Sequence, residues 1–108
     1  MSNIPKRLYK GTCDTTSIEL YKVKTGKTIL KNIVLCNTDA DKKWIMLHIV
    51  SEGESVGNNT KFLSDFIVEG NDTVVIELSA ILEIGDSIVA YQEKAKAINI
   101  HVSGLEVT

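Results

Sequence analysis

The side chains with the greatest potential for metal or acid–base chemistry are two histidines, His48 and His101. They lie far apart in the chain, and no CxxC or HxxxH pattern accompanies them. A metal site needs several His, Cys, Asp or Glu side chains that converge at close spacing. We therefore predict no metal site and no cofactor, and we interpret both histidines as residues on the polar faces of strands.

Nucleophilic catalysis needs a Ser or Cys beside a base and an orienting group. Cys13 precedes Asp14, but the surrounding GTCDTTS is rich in short polar side chains, which is typical of a backbone-bonded turn. No acid, base and nucleophile stand out together. We predict that the chain is not an enzyme and has no catalytic residues.

Paired carboxylates occur at Asp39 and Asp41 and at Glu52 and Glu54. Glycosidases place two carboxylates across a cleft, usually with aromatic platforms, and only 6% of this chain is aromatic. TDADKK lacks the ligand series of a calcium loop, and neither a Walker A motif nor GxGxxG occurs. We interpret these acids as solvated turn and loop residues.

Composition limits the class of protein. A chain of 108 residues with 44% hydrophobic and 24% charged residues fits a single domain, 1–108. The net charge is −2 and Lys/Arg alternate with Asp/Glu, so we expect no nucleic-acid partner. No apolar run reaches the ~18 to 20 residues that span a bilayer, and the first residues do not resemble a secretory signal. We expect no membrane partner, two free thiols and folding in the cytoplasm.

The elements that must position these side chains are short β-branched runs separated by Gly- and Asn-containing turns. This pattern predicts an all-β fold, an antiparallel β-sandwich of about eight short strands, either jelly-roll-like or Ig-like. A helix is expected for at most one turn, at SAILEIGD (79–86). The predicted strands cover 8–12, 17–23, 28–37, 44–51, 61–68, 73–79, 86–92 and 97–107.

Two predicted strands are apolar on both faces. In the third strand Val34 and Cys36 alternate with two other apolar residues, and in the fourth Trp44 and Met46 oppose a second apolar face. Such a strand is either central and covered, or half of it meets another chain. Val34, Cys36, Trp44 and Met46 are therefore the candidate interface residues of a predicted homo-oligomer.

The longest Gly- and Asn-rich segment, 51–60, is a candidate recognition loop because sandwich loops often carry binding residues. Its candidate residues are Glu52, Glu54, Asn58 and Asn59. The alternative function that follows is a carbohydrate- or receptor-binding β-sandwich module.

Three segments resemble those of small structural proteins of tailed bacteriophages: RLYKGT, TGKTILKNIVLCNTD, and LEIGDSIVAYQ with INIHVSGLEV. The resemblance implies a β-sandwich that assembles in or on a virion in the host cytoplasm, near the tail or as an accessory on a larger structural protein, with other virion proteins as partners and without cofactor or catalytic residues. The residues that carry it are Gly26, Asn37, Thr38, Gly85, Asp86, Ile88, Ser103, Gly104, Glu106 and Val107.

Overall fold

The computed structural model describes residues 3–107 and confirms the predicted all-β class. It contains eight strands and one short 3-10 turn, Asn58–Thr60. The strands are β1 (Asn3–Thr12), β2 (Ile18–Lys22), β3 (Lys27–Asn37), β4 (Lys43–Val50), β5 (Lys61–Val68), β6 (Thr73–Leu82), β7 (Ser87–Gln92) and β8 (Ile98–Val107). The eight predicted segments correspond to these strands one by one.

The strands form two antiparallel four-stranded sheets. Sheet 1 has the order β1-β8-β3-β6, and sheet 2 has the order β2-β7-β4-β5. The first strand pairs with the last, the second with the seventh, the third with the sixth and the fourth with the fifth. This is one long hairpin rolled up on itself, which is the jelly-roll arrangement rather than the Ig-like one.

The helical turn expected at SAILEIGD is wrong. β6 continues through this segment to Leu82, and Ala80 and Leu82 face the core while Ser79 and Ile81 face outward. This two-residue period matches a strand with one buried face, so packing overrides the capping signal of Ser79. Gly85 then takes φ 92° in the turn before β7, where a side chain would be strained.

The core lies between the sheets and comes chiefly from the inner strands β3, β4, β7 and β8. β3 and β8 alternate buried apolar side chains with more exposed ones, as the predicted period of two requires, whereas β4 and β7 each contain four consecutive buried residues. The largest apolar side chains with less than 2% exposure are Leu30, Ile33, Leu35, Ile45, Leu47, Leu82, Ile88, Ile98, Ile100 and Val23.

Two buried amides hold the loops at one end of the sandwich. Gln92 donates from Nε2 to the Cys13 carbonyl at 2.7 Å, and its Oε1 accepts from the Ile98 amide at 2.9 Å. Asn37 donates from Nδ2 to the carbonyls of Asp41 and Val68. Buried backbone groups need partners, so these amides fix the crossings between the sheets.

Candidate functional site

The two histidines lie on different sheets, so the structure does not bring them together. His101 is on the outer face of sheet 1, and His48 is on β4 of sheet 2. Within residues 3–107 no three His, Cys, Asp or Glu side chains cluster closely enough to hold a metal ion. Each histidine must therefore be explained by its own surroundings.

His48 is buried beneath the 51–60 loop, with 1% of its surface exposed. Its Nδ1 lies 2.8 Å from Thr60 Oγ1, whose hydrogen is directed to the Gly57 carbonyl, so we infer that Nδ1 carries the proton. Nε2 is buried and has no hydrogen-bond partner among residues 3–107. Burial, with a smaller contribution from the charge of Lys61, lowers the pKa of His48.

The two thiols are both free and lie in different surroundings. Cys13 is buried in the crossing from β1 to β2, and burial raises its pKa to about 11, with Gln92 Nε2 beside its sulfur. A thiol with so high a pKa is a weak nucleophile at neutral pH. Cys36 is half-buried, less buried than its apolar run suggests, because it faces outward on β3.

In the acidic turn at residues 38–42, the Asp39 carboxylate accepts hydrogen bonds that stabilise the turn. A hydrogen bond from Lys94 Nζ to Asp39 Oδ2, at 2.7 Å, and a second from the Asp41 amide to Oδ1 lower the pKa of Asp39 to about 2. The two acids therefore form a local turn tied to the β7–β8 connection.

Val34 and Cys36, two of the candidate interface residues, line a shallow groove on the outer face of sheet 1. The groove has a volume of about 330 Å³ and is also lined by Lys10, Asn99 and His101. A neighbouring depression of about 530 Å³ shares His101 with it. Val34 and Cys36 are each partly exposed to solvent, and polar and cationic side chains surround them.

Trp44 and Met46, the other two, lie on sheet 2 and differ in accessibility. Trp44 is half-buried and meets Tyr91 edge-on, with ring centroids 6.1 Å apart. Met46 is only 4% exposed, and its sulfur accepts a hydrogen bond from the Asp65 amide where β5 bulges. The prediction of Met46 as an interface residue is therefore wrong, because the irregular β5 covers it within its own subunit.

The candidate recognition loop is folded against sheet 2. Glu52, Glu54, Asn58 and Asn59 are all exposed, while Thr60 is buried against His48. Glu54 accepts a hydrogen bond from the Ser51 amide and so closes the first turn of the loop. The loop therefore presents its four candidate side chains on a backbone that is held at both ends.

The least covered part of the core is a surface that the strand patterns did not single out. Eleven partly buried hydrophobic residues pack against the core of the described chain, and seven of them lie on β5 and β6. We call the side of the sandwich formed by β5 and β6 the open side, and the side formed by β1 and β2 the closed side. The seven residues on the open side are Phe62, Leu63, Phe66, Val74, Ile76, Leu78 and Ala80.

β6 also places large apolar side chains outward. Val75 and Ile81 are 60% and 62% exposed, and they flank Glu77 and Ser79 on the outer face of sheet 1. The signal for this surface was present in TVVIELSAIL, whose outward positions include these two apolar residues. Its position at a sheet edge was not visible in the sequence, since strand order depends on long-range pairing.

The four sheet edges differ in their protection against pairing with another strand. β1 carries Pro5, a bulge and several cations, β2 has only five residues and a bulge, and β5 is interrupted by two irregularities and by Asp65 at φ 47°. These are the usual devices that blunt an edge. β6 has ten residues, one irregularity in its pairing with β3, no proline and Glu77 as its one charged side chain.

Residues that carry the phage resemblance have roles in folding. Gly26 takes φ 62° in the β2–β3 turn, Asn37 closes the β3–β4 turn, and a Cβ on Gly104 would overlap the carbonyl oxygen of Ile29 on β3. Glu106 accepts hydrogen bonds from Tyr21 and Lys6 on the closed side. These residues therefore form turns, a close strand contact and the closed side of the sandwich.

Comparison of the chain with known proteins finds no matching family and no curated protein of significant similarity. Among the residues that the structure describes, no helix has the length and apolar character needed to cross a membrane.

Proposed function

We propose that this protein is a non-catalytic structural or assembly module of a tailed-bacteriophage virion, acting through protein–protein contacts. The observation that carries the proposal is the open side, where seven hydrophobic residues that pack against the core remain partly exposed. Covering apolar surface of this kind with another chain is favourable, because the surface is removed from water. The open side is a better contact candidate than the surface around Trp44 and Met46.

The fold and the resemblance support the virion setting. Eight-stranded jelly rolls recur in viral capsid domains, and also in lectins and cupins, so the fold alone is an analogy. The phage-like segments add a second argument for the same setting. The proposed partners are further copies of the chain and other virion proteins, with folding and assembly in the host cytoplasm.

The test is whether the chain is part of the particle. Particles from a strain that carries the gene are purified through a density gradient and examined by mass spectrometry, with an epitope tag at the C-terminus for immunogold labelling. We expect the chain in intact particles, in a fixed ratio to the main structural proteins and at one recurring position. A chain that is abundant in the lysate and absent from purified particles contradicts the proposal.

A second proposal is a carbohydrate- or receptor-binding module that uses the 51–60 loop. It is supported by the loop's anchored backbone, which reduces the entropy lost on binding. The exposed polar side chains of the loop are available to contact a ligand. Replacing Glu52, Asn58 and Asn59 by alanine leaves the anchors intact. Binding on a glycan array that this triple variant abolishes supports the second proposal, and an array without any wild-type binding removes it.

A further inference from the structure

The free edge of β6 is a ready-made partner for another extended strand. β6 ends sheet 1 and pairs only with β3, so the backbone groups on its other side have no strand partner within residues 3–107. β6 is long and contains neither proline nor lysine, and its inward and outward side chains keep alternating through the one irregularity in its pairing with β3, so its free edge is a template for strand addition. The remaining question is which strand fits it.

We propose that β6 pairs antiparallel with β6 of a second copy of this chain, about a two-fold axis at Leu78, so that sheet 1 continues across the dimer. This inference rests on the proposed function, since it names the partner of the open side. A two-fold contact requires a self-complementary surface, and the sequence of β6 can be tested for that directly.

The outward side chains of β6 match each other in this register. Opposite residues of antiparallel strands face the same side of the sheet, so pairing about Leu78 sets Val75 against Ile81 of the second copy. These are the two most exposed apolar residues of the strand, at 60% and 62%. Each one therefore covers the other, twice in the dimer.

The charged side chain of β6 also finds a partner in this register. Glu77 faces Ser79 of the second copy, and within each chain Lys31 Nζ donates to Ser79 Oγ at 2.9 Å. Lys31 of one copy thus lies beside Glu77 of the other. Within residues 3–107 neither side chain forms an ion pair in its own chain, so two intermolecular pairs become available.

Neighbouring registers are less favourable. A two-fold axis at Glu77 sets this carboxylate against its own copy, and like charges directly opposite each other destabilise a sheet. An axis at Ser79 sets Glu77 against Ile81, which leaves the carboxylate without its cation. Leu78 is therefore the position that satisfies both the apolar and the charged residues.

The inward side chains become better covered in the same arrangement. Leu78 meets Leu78 of the second copy, and Ile76 meets Ala80, so the half-buried row along β6 continues into a second apolar row. Ten residues extend roughly 33 Å, so the contact runs along the whole length of one sheet edge.

The test is sedimentation velocity of the full chain across a broad concentration range. We expect the wild type to form a dimer. V75K/I81K places lysine opposite lysine twice and should weaken dimerisation about 100-fold, roughly tenfold at each of the two contacts. V75K/I81E restores opposite charges across the interface and should recover most of this loss. Ile4→Lys, on the exposed part of β1, should leave the dimer unchanged.

Monomeric wild type at every concentration overturns the proposal, and so does V75K/I81E that dissociates as completely as V75K/I81K. Circular dichroism checks that the variants keep the β fold. If either variant fails to fold, oxidation of variants with one introduced cysteine in a C36S background, where the native thiol that remains is the buried Cys13, decides the question. L78C should give a disulfide-linked dimer, while V74C, whose partner is Leu82, should not, and equal cross-linking of both contradicts the register.

These outcomes are separate from the test of the proposed function. A monomer that is found in purified particles removes the β6 pairing and leaves the virion role. A β6 dimer that is absent from purified particles removes the virion role and leaves the β6 pairing.

Discussion

The closed and open sides of this sandwich differ in how they cover the edges of the apolar core. On the closed side, Tyr21 of sheet 2 donates to Glu106 of sheet 1 at 2.8 Å and contacts Thr28 Oγ1 at 2.7 Å, and Lys6 forms an ion pair with Glu106. On the open side, no side-chain hydrogen bond joins β5 to β6 within residues 3–107, and seven of their apolar residues that pack against the core stay partly exposed. The difference shows that polar contacts seal one side within the subunit, and the open side is where we propose that a second copy binds.

The largest effect is expected where the chain crosses between sheets next to the closed side. Gln92→Ala leaves the Ile98 amide without its side-chain partner, removes one of the two hydrogen bonds to the Cys13 carbonyl, which keeps the Lys96 amide as donor, and leaves a cavity at a fully buried position. We expect the free energy of unfolding to fall by about 4 kcal/mol in urea titration, because an unpaired buried amide costs about 1–3 kcal/mol and the cavity adds to this loss. Asn99→Ala, an exposed amide on the neighbouring strand, is the control and should change it by less than about 0.5 kcal/mol. Equal effects of the two substitutions would refute the role of Gln92.

The same substitution on each side sharpens the comparison. Leu8 on β1 is 8% exposed, whereas Leu78 on β6 is half-buried. Leu8→Ala should cost about 3 kcal/mol of unfolding free energy in dilute solution and Leu78→Ala about 1.5 kcal/mol. The cost of Leu78→Ala should increase with protein concentration because the dimer buries this residue. Costs that are equal and independent of concentration would remove the distinction between the sides.

Removing one hydroxyl weakens the seal of the closed side. Tyr21→Phe leaves the buried Thr28 hydroxyl without this partner and should lower the free energy of unfolding by about 1 kcal/mol. The hydrogen bond from Tyr21 is also the main reason that the pKa of Glu106 lies below its ordinary value, so this pKa should rise in the variant when followed by NMR. Tyr91→Phe is the matched control. An unchanged pKa of Glu106 would show that Tyr21 does not hold this carboxylate.

Acid should loosen the region before β5 first, with the smallest effect of the series. The pKa of His48 is lowered in the fold, so the unfolded chain binds more protons and stability falls as the pH drops below about 6.5. The pKa of Glu106 is likewise lowered, but its contribution is lost only as the pH falls below 4.5. Hydrogen exchange at pH 5.5 should therefore accelerate at 51–60 before it does in β1, with His101→Gln behaving as the wild type. Simultaneous loosening of both regions would contradict this order.

The sequence predicts where the strands lie along the chain, but it does not predict which strands pair with each other. Period-two burial predicted β8 with Ile98, Ile100 and Val102 inward, because that pattern is local. The pairing of β1 with β8 joins opposite ends of the chain, so no local pattern predicts it. Met46 was misplaced for the same reason: its cover is the bulge at Asp65, which depends on how β5 meets β4.

The position of β6 at the edge of sheet 1 likewise depends on long-range strand pairing. TVVIELSAIL reads equally well as a central or an edge strand, and only the strand order shows that Val75 and Ile81 have no neighbour on one side. Ser79 suggested a helix cap, whereas its hydroxyl accepts from Lys31 across the sheet. The contact surface therefore emerges from tertiary structure and not from composition.

Amide hydrogen exchange of β6, resolved by residue and measured at low and high protein concentration, tests the central claim most directly. If the open side is completed by a second copy, the free-edge amides of β6 exchange more slowly at high concentration, while those of β1 keep the same rates. Identical β6 rates at both concentrations, with the wild type folded throughout, would mean that the open side remains uncovered and that copies of this chain do not meet there.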